Sequence, residues 1–126
     1  MFALDTNAVS ALFDGDEGLR SLLSSDERHA LPIIVVGEYR YGILKSRHRK
    51  RLSALLDSLV RDTEVLFIDD ETTRTYAEVR DGLRKRGRPL PENDVWIASL
   101  AVQHRLDLVS RDAHFDAVGG LVRREW

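Results

Sequence analysis

Two kinds of apolar pattern alternate along the chain. Short runs such as "FAL", "EVLF" and "LDLV" are apolar almost throughout, with polar residues at their ends. Between them lie longer stretches in which Leu, Ile, Val and Ala return every three or four positions. The first pattern suits a strand covered on both faces, the second a helix with one apolar stripe.

The elements follow in order. Phe2 to Asp5 is a central strand ending in a turn at Thr6-Asn7, and a short helix covers Ala8 to Phe13. After Gly15 and Gly18, Leu19 to Ser25 is another brief helix. "HALP" is a short strand closed by Pro32, a residue that fits the first turn of a helix. Ile33 to Leu44 then has helical spacing, although "IIVV" alone reads equally well as a strand. A helix from Arg49 to Val60 repeats Leu at 52, 55, 56 and 59. Glu64 to Asp69 is strand-like, and Asp70 or Thr72 can cap a long helix to about Lys85. Gly87-Arg88-Pro89 breaks that helix. Glu92 or Asn93, with Asn93 the better cap, opens the next, which ends near His104. Leu106 to Ser110 is a strand, Arg111 to Phe115 a turn or single helical turn, and "LVRR" a last short strand.

Strands alternating with helices predict an α/β fold, a mostly parallel central sheet covered on both faces. The 126 residues suit one domain over 1–126, with no linker, repeat or low-complexity tract. A 43% hydrophobic content supports a packed core. The absence of cysteine excludes disulfides, thiolate nucleophiles and thiolate metal sites. "MFALDTN" lacks the basic start of a secretory signal, and no apolar run approaches the ~18 residues of a membrane helix. The expected location is the cytoplasm.

Charge is nearly balanced, 19 basic against 21 acidic side chains, but unevenly placed. "KSRHRKR" runs from Lys45 to Arg51 and "RKRGR" from Arg84 to Arg88. Each is either a solvated helix end or a patch for phosphates.

Four acids stand where surface residues are not expected. Asp5 ends the first strand, where ligand sites of parallel sheets lie, though it can equally cap the next helix. Glu38 shares a helical face with Ile34, Tyr41 and Gly42, so it is either a site residue or half of a buried ion pair, with Arg40 of another chain or with Arg74. Asp94 is in the first turn of its helix on the side of Ile97, Ala98 and Ala101. It is an inward carboxylate, or an acid that complements the helix end. Asp112 follows the strand "LDLVS", as Asp5 follows "FAL". Asp107 starts its strand and belongs to the opposite edge. Converging carboxylates must hold protons or a cation, and all-oxygen donors suit Mg²⁺ or Mn²⁺. His48, His104 and His114 show no ligand spacing and are assigned to the surface or to a supporting position.

The segments "LDTNAV", "GEYRYGI", "NDVWIASLA" and "LDLVSRD", with "HF" at His114-Phe115, give the chain a resemblance to the PIN domain. The closer resemblance is to the VapC toxins of toxin–antitoxin pairs. It spans essentially the whole chain and implies a PIN-like three-layer α/β/α fold. It also implies an Mg²⁺- or Mn²⁺-dependent endoribonuclease that hydrolyses RNA with a metal-activated water. The family's acids fall on Asp5, Glu38, Asp94 and Asp112. Its small polar residue after the first acid is Thr6, with Asn7 beside it, and Asn93 adjoins the third acid. Ser110 stands where threonine is common, a change that keeps the hydroxyl. Val35 stands where some members carry a hydroxyl.

The resemblance further implies an RNA substrate, a homodimer and a VapB-type antitoxin whose tail fills a groove near the metal. Lys45, Arg84, Lys85, Arg86 and Arg88 are then candidates for gripping the RNA backbone. Tyr39, Tyr41, Ile43, Leu44 and Leu52 to Leu59 offer apolar surface for partners or simply pack together. The competing readings are a catalytically inactive PIN-like interaction module and a receiver-like signalling domain. The latter lacks its paired acidic start and a mid-chain acceptor Asp.

Overall fold

The computed structural model describes residues 1–23 and 27–126. The expected helix end at Ser25 lies outside them. Among the described residues five short strands form one sheet: β1 (Phe2–Leu4), β2 (Ala30–Pro32), β3 (Glu64–Leu66), β4 (Asp107–Val109) and β5 (Arg123–Arg124). Their order is β3-β2-β1-β4-β5, and every neighbouring pair is parallel. The helices are α1 (Thr6–Phe13), α2 (Glu17–Leu22), α3 (Ile33–Leu44), α4 (Arg49–Asp62), α5 (Asp70–Lys85) and α6 (Glu92–Gln103). They cover the sheet as a three-layer α/β/α fold, as the alternation predicts. No helix among the described residues is long and apolar enough to cross a membrane.

The strands are all shorter than the segments predicted for them. "EVLFID" forms a strand only to Leu66, because its partner β2 turns into α3 after Pro32 and the ladder has nothing further to pair with. Phe67 and Ile68 are left exposed. "IIVV" is helical: Pro32 occupies the cap position of α3, and Val35 and Val36 face the core together with Ile43.

The helix starts correct several sequence expectations. Thr6 and Asn7 are the first turn of α1 rather than a separate turn, because Asp5 accepts a hydrogen bond from the Thr6 N–H and caps the helix. The cap of α5 is Asp69, not Asp70 or Thr72. Asp69 bonds the Thr72 N–H while the Thr72 hydroxyl answers the Asp69 N–H. In α6 the cap position belongs to Pro91 and carries no side-chain hydrogen bond, so Asn93 is not the cap. Asn93 is one residue inside the helix and exposed.

The core centres on β1, β4 and α6. Within α6, Val95 and Ile97 through Ala101 are buried, so this helix is covered on most of its circumference. Ala98 and Ala101 have no exposed surface. Their small side chains let α6 approach its neighbours closely, which fixes the height of everything in its first turn.

Candidate metal centre

The centre begins at the paired ends of β1 and β4. Leu4 lies opposite Val109, and the Asp5 N–H donates to the Val109 carbonyl at 3.1 Å. Asp5 and Ser110 therefore leave the sheet side by side, both buried. The Ser110 hydroxyl donates to Asp5 Oδ2 at 2.6 Å and accepts from the Asp112 N–H at 3.0 Å. Asn7 Nδ2 stands 3.4 Å from both Asp5 Oδ2 and Ser110 Oγ. One hydroxyl thus orients the first acid and the loop that carries the last.

Glu38 arrives from α3. Its Oε1 accepts from the Thr6 hydroxyl at 3.0 Å. The pair with Arg74 does not form, since Arg74 bonds Asp70, and within this chain Arg40 bonds Asp57. The face it shares with Tyr41 and Gly42 is the solvent side of α3, not a packed one. Glu38 is on the wall of an open groove with Ile33, Ile34, Gly37, Tyr41 and Asn93. Asn93 is brought to that groove, which it shares with Glu38, and does not line the cleft where the four acids meet.

Asp94 projects from the first turn of α6. Asp5, Thr6, Asn7, Ser10, Glu38, Asp94 and Asp112 line one cleft of about 410 Å³. All four acids therefore converge. Asp107, as expected, is elsewhere and pairs with Arg124. Two residues were undervalued in the sequence. Ser10 reaches the cleft because it is one helical turn past Thr6 on α1. His114 belongs to the 3₁₀ turn Ala113–Ala117, and its Nε2 is 3.1 Å from Asp94 Oδ2 and 3.7 Å from Asp112 Oδ2. The signal for His114 was its position two residues after Asp112.

The electrostatics show a shortage of positive charge. Burial pushes the Asp5 carboxyl above its ordinary range, against the hydrogen bonds from Ser110 and Thr6, and the charges of Asp112 and Glu38 add to the rise. Burial, then the charge of Asp5, pushes Asp94 up to about 6, with His114 opposing. Among the described residues no Lys or Arg pairs with any of the four acids. Oxygen donors from Asp94 and Asp112, with His114 Nε2, lie within 4.8 Å of one another. A hard divalent cation fits this donor set and relieves its repulsion.

A family model described as "PIN domain" matches residues 2–121. The chain belongs to the PIN-domain family. Within that family it is of the VapC type. It is 32% identical over 120 residues to "Ribonuclease VapC5" of Mycobacterium tuberculosis, covering 93% of this chain and 87% of the relative. Among solved structures, the DNA-bound VapBC from Salmonella typhimurium matches with a TM-score of 0.89 and 26% identity, covering 99% of this chain and 97% of that one. VapBC2 from Rickettsia felis, bound to a promoter DNA fragment, matches at 0.87 and 26%, covering 99% and 98%. The PIN fold expected from the sequence is the fold observed.

Of the basic residues, Arg84 and Lys85 both pair with Asp81, and Arg86 donates to the Ala117 carbonyl. Lys45 stands over the Tyr41 ring at 4.1 Å. Arg88 is exposed and makes no ion pair among the described residues. The apolar surface expected on α3 and α4 divides: Ile43 and Leu56 are buried, while Tyr41 and Leu44 are exposed.

Proposed function

We propose that this chain is a metal-dependent endoribonuclease, the toxin of a toxin–antitoxin pair. The observation that carries the reading is the convergence of Asp5, Glu38, Asp94 and Asp112 on one cleft with no Lys or Arg paired to them among the described residues. It is supported by the likeness to a relative named a ribonuclease. Asp5, Glu38, Asp94 and Asp112 would hold Mg²⁺ or Mn²⁺, directly or through water, and Glu38 or Asp112 would orient a water and take its proton. When bound, the cation lowers the pKa of water and offsets charge on the phosphodiester oxygens. Ser110, Thr6 and Asn7 hold the carboxylates in place by the hydrogen bonds described above.

RNA is gripped outside the cleft by exposed cations, Arg88 and Lys45 first, since the others are engaged within the protein or shared with Asp81. An RNA substrate sets the work in the cytoplasm. The similar solved structures are complexes of a VapB partner with a VapC chain. By likeness, a VapB-type antitoxin holds this chain inactive, its tail in the apolar groove along Ile33, Ile34, Gly37 and Tyr41. The exposed Tyr41 and Leu44 offer further apolar surface for that partner or for a second copy in a homodimer.

The test is cleavage of a defined RNA by the purified chain with Mg²⁺, with Mn²⁺ and with chelator. Activity that needs the metal, vanishes in D94N and leaves 5′-phosphate and 3′-hydroxyl ends is expected. A 2′,3′-cyclic phosphate would show that the ribose hydroxyl, not water, attacks. No cleavage under any condition would favour a catalytically inactive interaction module.

A further inference from the structure

We infer that His114 is itself a ligand of the divalent cation, giving Nε2 at a corner shared with Asp94 and Asp112. The inference rests on the metal-dependent reading above and deepens it. Its basis is the way the ring is presented. Nε2 is shielded from solvent yet makes no hydrogen bond among the described residues. It approaches Asp94 Oδ2 to 3.1 Å, but without the alignment that a hydrogen-bonded His–Asp pair adopts. A buried polar atom without a hydrogen-bond partner is costly, and a cation bound at this corner would satisfy it.

The separations identify the occupant. Neighbouring ligands of an octahedral ion at about 2.1 Å lie roughly 3 Å apart from each other. Nε2 is 3.1 Å from one carboxylate oxygen and 3.7 Å from the other, and the three donor atoms form one group. The ring is held there by the buried Phe115, against which it packs edge-on at 4.7 Å between centroids. The 3₁₀ turn after Asp112 places carboxylate and imidazole on the same corner. One nitrogen among oxygens then changes the choice of ion. Mg²⁺ keeps to oxygen, whereas Mn²⁺ accepts imidazole, so His114 tilts the site toward Mn²⁺.

The test is pulsed electron paramagnetic resonance of the full chain loaded with Mn²⁺, alongside calorimetry of Mn²⁺ and Mg²⁺ binding. The native protein and H104Q, an exposed control, should show the nitrogen modulation of a coordinated imidazole, and H114Q should lose it. H114Q should also bind Mn²⁺ about tenfold more weakly, with a smaller change for Mg²⁺. The native spectrum decides the matter even where H114Q is poorly folded. Mn²⁺ bound without nitrogen modulation, or modulation that survives in a folded H114Q, overturns the role of His114 and leaves the metal site standing. No Mn²⁺ binding at all overturns both.

Discussion

Ser110 and Asp5, 105 residues apart, are joined by a 2.6 Å hydrogen bond from the serine hydroxyl to Asp5 Oδ2. The bond spans the ends of two neighbouring parallel strands and is buried. It leaves Asp5 Oδ1 to the Thr6 N–H, so neither carboxylate oxygen turns freely. S110A should therefore cost about tenfold in Mn²⁺ affinity, the scale of losing a group that orients a ligand. S110T, which keeps the hydroxyl, should stay close to native. Calorimetry of the two variants checks this, and equal binding by S110A and native protein would remove Ser110 from the site.

Asp94 predicts a pH dependence of the metal-free protein. Its carboxyl ionises near 3.8 when unperturbed and at about 6 in the fold. Between those values the folded form keeps a proton that the unfolded chain has lost. Stability is therefore full below about 3.8 and falls as pH rises through about 6. The loss is about 2 kcal/mol after allowing for water at the open side of the carboxyl. D94N should be more stable than the native chain at pH 7 in chelator and should show a shallower slope. Asp5, raised in the same sense, leaves a remainder. Urea unfolding at pH 5, 6 and 7 measures both slopes, and identical slopes would contradict the burial argument.

How much of this was legible depended on whether local pattern or a distant partner decides. Helix α4 stood out by its Leu spacing, α5 by an acidic or Thr start and the Gly87-Arg88-Pro89 break, and the parallel sheet by short apolar runs. Strand lengths did not, since β3 stops at Leu66 where β2 stops, a fact held 34 residues away in Pro32. Asp5 and Asp94 were legible because a carboxylate after "FAL" or beside Ala98 conflicts with burial, and Asp112 because it follows a strand as Asp5 does. The face of Glu38 was misjudged: Tyr41 and Gly42 have small or aromatic side chains, which suit burial, yet Val35, Val36 and Ile43 already fill that role. His114 carried no periodic signal, because a single 3₁₀ turn, not a helix face, aims it.

The closeness of α6 predicts a stability effect that reaches the site. Ala98 is fully buried one turn from Asp94. A98L adds atoms where no space is left, and should cost about 1–3 kcal/mol in urea unfolding. Because the added bulk pushes α6 away, Mn²⁺ affinity should fall as well. A54L, at an exposed position on α4, should change neither. A98L that loses stability but binds Mn²⁺ normally would mean that Asp94 is not held by this contact.

The basic run before α6 separates into structural and RNA-facing positions. Arg86 donates to the Ala117 carbonyl and so ties α5 to the turn that carries His114. R86E should lower the melting temperature. Arg84 and Lys85 share Asp81, which offsets part of their field. Arg88 makes no ion pair among the described residues, though its charge acts on Asp116, and it is exposed to a phosphate. R88E should weaken binding of any RNA sequence alike and reduce the salt slope by about 1, as for the loss of one phosphate contact. R84E should move the slope less. Binding titrations of catalytically inactive D94N, with and without each substitution, over a range of salt concentrations separate these outcomes. An unchanged slope in R88E would place the RNA path elsewhere, with Lys45 at the end of α3 the next position to reverse.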